Sequence, residues 1–106
     1  MLSKKIFFLI FLSGLSTFAE ADATIYGVGA RSCGYWAESR QLSIVHGDIT
    51  SWIEGYVSSY ADWSNKSLKK VEYQAFDLYI DNYCQQNSLN SILDASRSLV
   101  KALEEK

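Results

Sequence analysis

Apolar residues recur along positions 49–60 with the period of an α-helix, and no other feature of the chain constrains its fold as strongly. They stand at i, i+3, i+4, i+7, i+8 and i+11: Ile49, Trp52, Ile53, Tyr56, Val57 and Tyr60. This spacing predicts an amphipathic helix with one continuous apolar face, which another part of the chain must cover. Asp48 is a good N-cap for this helix. Because a glycine inside a helix costs about 1 kcal/mol relative to alanine, Gly55 predicts a second helix packed close against it.

Three further segments have helical spacing. A short helix is predicted from Ser32 to about Arg40, with Cys33, Trp36 and Ala37 on one face. The third helix contains Phe76, Tyr79, Ile80, Tyr83 and Cys84, and Leu68 and Val71 could extend it backwards. The last helix contains Leu89, Ile92, Ser96, Leu99 and Leu103, with Asn87 or Ser88 as its cap.

The segments between these helices are predicted to be irregular. Residues 24–30 are expected to be a flexible lead-in, 41–47 a connector and 61–67 a loop. No segment alternates apolar and polar residues with the period of a strand. The sequence therefore predicts an all-α fold, with residues 22–106 forming a single four-helix domain.

The N-terminus has the three regions of a secretory signal peptide. Lys4 and Lys5 are followed by an apolar run and then by A-x-A patterns ending at Ala21 or Ala23. The alternative is a membrane anchor, but the apolar core is shorter than the ~20 residues needed to span a bilayer. We therefore predict that residues 1–21 are a signal peptide, cleaved after Ala21 or Ala23, and that the protein is periplasmic or secreted.

The chain has two cysteines, Cys33 and Cys84, and export would place both in an oxidising compartment. An isolated pair there usually forms a disulfide. Closing a loop of this length with a disulfide stabilises the folded protein by roughly 4 kcal/mol. The alternatives are a redox-active pair or metal ligands. Redox motifs keep their cysteines two residues apart, and zinc needs three or four ligands. We predict a structural disulfide that staples the four-helix domain.

Charge and composition exclude several classes of function. The formal charge of −2 does not fit a nucleic-acid binder. His46 is the single histidine, and Asp77 and Asp81 at i, i+4 are typical of a solvated helix face. A nucleophile, a base and an orienting group cannot be assembled from these residues. We therefore expect no enzyme activity, no metal and no cofactor.

Aromatic residues are abundant for so short a chain. The helical spacing of several of them indicates core positions, but a small domain cannot bury them all. Tyrosine and tryptophan are the residues that anchor protein interfaces. Six are candidates for binding a client or a partner protein: Tyr35, Trp36, Trp52, Tyr56, Trp63 and Tyr73.

Three short motifs carry a resemblance to a known family. They are Arg31-Ser32-Cys33-Gly34-x-Trp36, Trp52-Ile53-x-Gly55-Tyr56 and Ile80-Asp81-x-Tyr83-Cys84. With the signal peptide and the size, they resemble the HdeA-type periplasmic acid-stress chaperones over most of the mature chain. A weaker similarity is to the Tai/Rap-type immunity proteins that inhibit peptidoglycan amidases, which usually carry further cysteines. Asn87-Ser88 also stands where a proline often follows the second cysteine in such families.

The first resemblance implies a homodimer at neutral pH that opens in acid and holds unfolded proteins. Below about pH 3 most carboxylates are protonated, and the mature chain would carry a charge of about +10. Such self-repulsion loosens compact states while the disulfide limits expansion. The alternative from the second resemblance is an inhibitor that binds one periplasmic cell-wall enzyme.

Overall fold

The computed structural model describes residues 24–105, and in this part of the chain the fold is all-α. Its four α-helices are α1 Cys33–Ser39, α2 Ser43–Ser64, α3 Tyr73–Gln86 and α4 Ile92–Leu103, preceded by a 3₁₀ helix at Gly27–Ala30. Residues 24–105 contain two isolated β-bridges and no strand. The predicted four-helix fold is confirmed. The predicted signal peptide, residues 1–21, lies outside the described residues.

All four helices contribute to one hydrophobic core. The largest shares come from the inner face of α2 and from α4, with α1 and α3 closing the other side. Its buried members are Cys33, Trp36, Ile49, Ile53, Val57, Tyr60, Ile80, Cys84, Ile92, Ala95, Leu99, Val100 and Leu103. The apolar positions predicted for α2 are thus core or pack against it, whereas Ala37, predicted on the inner face of α1, is exposed.

The helix α2 is longer than the sequence predicts at both ends. It begins at Ser43 and ends at Ser64, so Asp48 is an interior residue. The predicted connector at 41–47 is confirmed only for residues 41–42, and the predicted loop at 61–67 only for residues 65–67. The extra first turns are held by tertiary contacts, because Val45 packs against the core and His46 bonds to α3. At the other end, Asn65 adopts a left-handed conformation with φ 58°, which is typical of the residue after a helix.

Two glycines, Gly55 and Gly29, lie in opposite surroundings. A side chain at Gly55 would meet no atom within 4 Å, so the prediction of a helix packed against it is wrong. A Cβ at Gly29 would lie 2.1 Å from the Trp52 ring. The Trp52 indole N–H also donates to the carbonyl oxygen of Tyr26 at 3.2 Å. The segment predicted as a flexible lead-in is therefore a packed 3₁₀ helix that needs glycine where Trp52 covers it.

The disulfide joins the first residue of α1 to the end of α3. Cys33 and Cys84 are bonded, with their Cα atoms 5.1 Å apart and a sequence separation of 51. Beside it, the backbone N–H of Cys33 donates to the Asn90 carbonyl at 2.8 Å, and that of Ile92 donates to the Arg31 carbonyl at 2.9 Å. The predicted disulfide is confirmed, and it fixes α1 where the end of α3 meets the start of α4.

The start of α4 differs from the prediction by a few residues. Ser91, not Asn87 or Ser88, is the N-cap, and it forms a capping box with Asp94. Leu89 precedes the helix and is 98% exposed, so it does not belong to the apolar stripe. In the same way, Leu68 and Val71 precede α3 and do not extend it.

Candidate functional site

Four charged or titratable side chains meet where α1, α2 and α3 come together. Arg40 follows α1, His46 lies in the second turn of α2, and Asp77 and Asp81 lie one turn apart on α3. We call Arg40, His46, Asp77 and Asp81 the junction cluster. Their mutual contacts connect three helices that are otherwise linked by the core and the disulfide.

Asp81 connects α3 to α1 through both of its carboxylate oxygens. The Trp36 indole N–H donates to Oδ1 at 2.8 Å, and Arg40 Nη2 donates to Oδ2 at 3.1 Å. Trp36 is only 1% exposed, so Asp81 satisfies an indole N–H that water cannot reach well. The carboxylate therefore stabilises both a buried donor and a nearby cation.

Asp77 connects α3 to α2 through the imidazole. His46 Nε2 and Asp77 Oδ2 are 3.0 Å apart, and Arg40 Nη1 lies 3.0 Å from the same nitrogen and 3.4 Å from the same oxygen. The His46 ring also packs against the Trp36 ring, with centroids 4.8 Å apart. The prediction that Asp77 and Asp81 form a solvated face is wrong, since both are partly buried and bonded to other helices.

The charge of the junction cluster depends on its protonation. With a neutral imidazole, the one guanidinium faces two carboxylates and the cluster is negative. With both carboxylates protonated and the imidazole charged, Arg40 and His46 would be two cations whose nitrogens lie 3.0 Å apart. In that state the contact between Arg40 and His46 would be repulsive.

A serine completes an arrangement that has the connectivity of a hydrolytic triad. Ser39 Oγ lies 3.5 Å from His46 Nδ1, on the side of the ring opposite Asp77. However, the hydroxyl of Ser39 is buried and donates to the Trp36 carbonyl oxygen at 2.6 Å. A nucleophile must be free to reach its substrate, so this geometry indicates a structural role for Ser39.

A cavity of about 360 Å³ opens between α1 and α3 beside the junction cluster. It is lined by the disulfide and by Trp36, Arg40, Asp81 and Gln85, among others. The polar groups of Arg40 and Asp81 are directed at each other and at Trp36, so the cavity wall is already paired.

The six aromatic candidates do not form one surface. Trp36 is in the core, and Tyr35 is partly covered by the Arg31 guanidinium, 4.3 Å above its ring. Trp52 and Tyr56 are half-buried and stack with centroids 5.7 Å apart. Trp63 is 71% exposed at the end of α2, and Tyr73 is 60% exposed at the start of α3. The candidates are thus spread over the core and separate parts of the surface, and the binding role of all six stays a prediction.

The largest exposed apolar side chains are mostly ones that sequence reasoning missed. Besides Trp63 and Tyr73 they are Tyr26, Leu42, Ile44, Val71, Leu78 and Leu89. The exposure of Leu78 could have been predicted, because this residue lies off the apolar stripe of α3. The exposure of Ile44 on a helix could not have been predicted, because its segment was predicted to be a connector.

A second polar cluster ties the C-terminal ends of α2 and α4 together. The Tyr60 hydroxyl donates to Glu104, whose Oε1 also lies 3.2 Å from Lys66 Nζ and 3.4 Å from Lys101 Nζ. The hydrogen bond from Tyr60, together with the two ammonium groups, lowers the pKa of Glu104 to about 2. Nearby, the backbone N–H of Lys69 donates to the Leu103 carbonyl at 2.7 Å. This end of the molecule keeps its main ion pair in moderately acidic solution.

Comparison with known proteins adds no relative. A scan against protein-family models, a search of curated proteins and a search of solved structures each found no match to this chain. Within residues 24–105, no three His, Cys, Asp or Glu side chains are grouped so that they could hold a metal ion. No helix in that range is long and apolar enough to cross a membrane. The resemblance to HdeA-type chaperones therefore stays a prediction.

Proposed function

We propose that this protein is an exported chaperone without enzymatic activity that opens in acid and holds unfolded client proteins through its apolar and aromatic side chains. The observation that supports this proposal most is the junction cluster. It joins α1, α2 and α3 through contacts that attract only while Asp77 and Asp81 are ionised. A disulfide is also typical of proteins that work in oxidising compartments such as the periplasm.

Opening would separate α2 from α1 and α3. The disulfide holds α1 to α3 whatever the pH, so repulsion between Arg40 and His46 acts mainly on the first half of α2. At the far end of α2, Glu104 keeps its charge until about pH 2 and holds Tyr60 to α4. Acid therefore loosens α2 from its N-terminal end while its C-terminal end stays attached.

The surface that opening would uncover is apolar. The inner face of α2 carries Ile49, Ile53 and Val57, flanked by the stacked rings of Trp52 and Tyr56. Exposed apolar patches with aromatic residues are the kind of surface that binds unfolded chains. In this proposal Trp52 and Tyr56 contact clients only in acid, and the exposed Trp63 and Tyr73 add to that surface once it is uncovered.

The test is a client-aggregation assay on the oxidised protein between pH 7 and pH 2, with sedimentation at the same pH values. We expect the protein to suppress aggregation in acid and not at pH 7. The double variant Asp77→Asn/Asp81→Asn removes both charges with little change in shape. It should lower the free energy of unfolding at pH 7 by about 2 kcal/mol, between the values of exposed and buried ion pairs. It should also protect clients at higher pH than the wild type.

The matched control is Asp48→Asn/Asp62→Asn, which removes the same charge from two exposed positions of α2 outside the cluster. It should behave like the wild type. Failure of the wild-type protein to suppress aggregation at any pH would contradict the proposal. An equal effect of the two double variants would show that net charge, and not the junction cluster, controls opening.

The alternative function is inhibition of a periplasmic cell-wall enzyme. It is favoured by the large apolar side chains that are exposed without any opening, such as Ile44 and Leu89. This alternative predicts a tight 1:1 complex with a peptidoglycan amidase at pH 7, measured by calorimetry. Substituting aspartate at Ile44 and Leu89 should weaken that complex, whereas the same change would leave client protection in acid nearly unaltered.

A further inference from the structure

A surface pocket between α3 and α4 differs in chemistry from the junction cluster. Its volume is about 390 Å³, and it lies on the opposite side of α3 from Asp77 and Asp81. The residues that line it are Tyr79, Asn82, Tyr83, Gln86, Asn87 and Ser98. The first four stand at i, i+3, i+4 and i+7 of α3, so they form one continuous face of that helix.

Every side chain that lines this pocket is uncharged and able to form hydrogen bonds. The cavity beside α1 contains Arg40 and Asp81, and a third one contains Arg31 and Glu38. A charged ligand would find no counter-charge among the lining residues of the α3–α4 pocket. A wholly apolar ligand would cover amide groups without pairing them, which is costly. The lining therefore favours a neutral ligand with many hydrogen-bonding groups.

The hydrogen bonds within the pocket leave groups that can receive such a ligand. Asn90 Nδ2 donates to the Tyr83 hydroxyl at 2.8 Å, and Asn87 Nδ2 donates to the Tyr83 carbonyl at 2.9 Å. These bonds leave the hydroxyl proton of Tyr83 and the Oδ1 atom of Asn87 for a ligand. The amides of Asn82 and Gln86 stand exposed at the rim, each with two donors and one acceptor.

The two tyrosines give the pocket its shape. Both rings are half-buried, and Tyr79 is fixed by a hydrogen bond between its hydroxyl and Ser98 Oγ. A tyrosine ring held in this way offers a rigid apolar surface at small entropic cost. Sugars combine a flat C–H surface, which packs on such rings, with hydroxyl groups that pair with amides.

We propose that the α3–α4 pocket binds a neutral saccharide. The sugar ring would pack on Tyr79 or Tyr83, and its hydroxyl or acetamido groups would pair with Asn82, Gln86 and Asn87. The proposal depends only on this pocket and is independent of client binding and of acid opening.

The test is a titration of the oxidised protein at pH 7 with N,N′,N″-triacetylchitotriose, a neutral saccharide, followed by NMR of the backbone amides. We expect saturable shifts confined to the pocket faces of α3 and α4, with a Kd of about 1 mM, which is typical of a small polar ligand. The variant Asn82→Ala/Gln86→Ala should weaken binding at least about 10-fold. Because both side chains are exposed, the circular dichroism spectrum should be unchanged.

The control variant is Gln41→Ala/Gln74→Ala, which removes two exposed amides away from the pocket and should bind like the wild type. The second probe is trialanine with an acetylated N-terminus and an amidated C-terminus, which carries no charge and should give no shifts at the pocket. Absence of saturable shifts with the saccharide would overturn the proposal. So would equal affinity in the Asn82→Ala/Gln86→Ala variant, or binding of trialanine at the same residues.

Discussion

At the scale of single residues, two glycines lie in opposite surroundings and make a matched pair. Gly29 is covered by the Trp52 ring, whereas Gly55 faces open space in the middle of α2. We expect Gly29→Ala to lower the free energy of unfolding by about 1–3 kcal/mol, because Trp52 must move to accommodate a methyl group. Gly55→Ala should raise it by up to about 1 kcal/mol through helix propensity. Urea unfolding followed by circular dichroism measures both, and the same sign for both variants would contradict this packing.

Glu104 makes the fold depend on pH in a defined direction. Its pKa in the folded protein is about 2, below the ordinary value of 4.5, so the ionised group stabilises the fold above pH 4.5. That contribution is lost as the pH falls from 4.5 toward 2. We expect Glu104→Gln to have a lower Tm than the wild type at pH 6 and nearly the same Tm at pH 2. Glu105→Gln, an exposed neighbour, is the control and should change Tm little at either pH.

Residue roles that depend on distant partners were beyond sequence reasoning. The sequence suggested an N-cap at Asp48, which is wrong, and an i, i+4 pair in Asp77 and Asp81; both are local patterns. It does not show that Asp77 meets His46, 31 positions away, or that Asp81 meets Trp36, 45 positions away. The junction cluster could not be predicted, because its contacts depend on how α1, α2 and α3 pack.

At the scale of elements, the start of α4 gives a direct test of a helix cap. Ser91 Oγ accepts from the backbone N–H of Asp94 at 3.1 Å, and the Ser91 N–H donates to the Asp94 carboxylate at 3.0 Å. We expect Ser91→Ala to lower the free energy of unfolding by about 1 kcal/mol. Ser88→Ala, at an exposed turn residue that the sequence offered as a cap, should have almost no effect. Equal effects would place the helix start nearer Ser88.

Helix existence was predictable and helix length was not. The four apolar stripes identified all four α-helices, because a core face must repeat with the helical period. The bounds of α2 were wrong, because Gly47 in the first turns and the polar residues after Tyr60 have weak helix propensity. Contacts from Val45 and His46 to the rest of the fold outweigh that propensity. The 3₁₀ helix was missed for the same reason, since Trp52 is what orders it.

At the scale of the whole molecule, three connections between helices respond differently to acid. The disulfide joins α1 to α3, and Glu104 joins the end of α2 to α4 down to about pH 2. The junction cluster joins the start of α2 to α1 and α3, and its attraction requires ionised Asp77 and Asp81. The proposed chaperone function requires that the junction cluster be the contact that acid releases.

Hydrogen exchange of the oxidised protein at pH 7 and pH 3, corrected for the intrinsic exchange rates, tests this account most directly. We predict that the amides of residues 46–57 lose most of their protection at pH 3. The amides of α4, and those of α2 around Tyr60, should keep theirs, because Glu104 is still ionised at that pH. Unchanged protection at residues 46–57, or an equal loss throughout the molecule, would contradict the assignment of the junction cluster as the contact that acid releases.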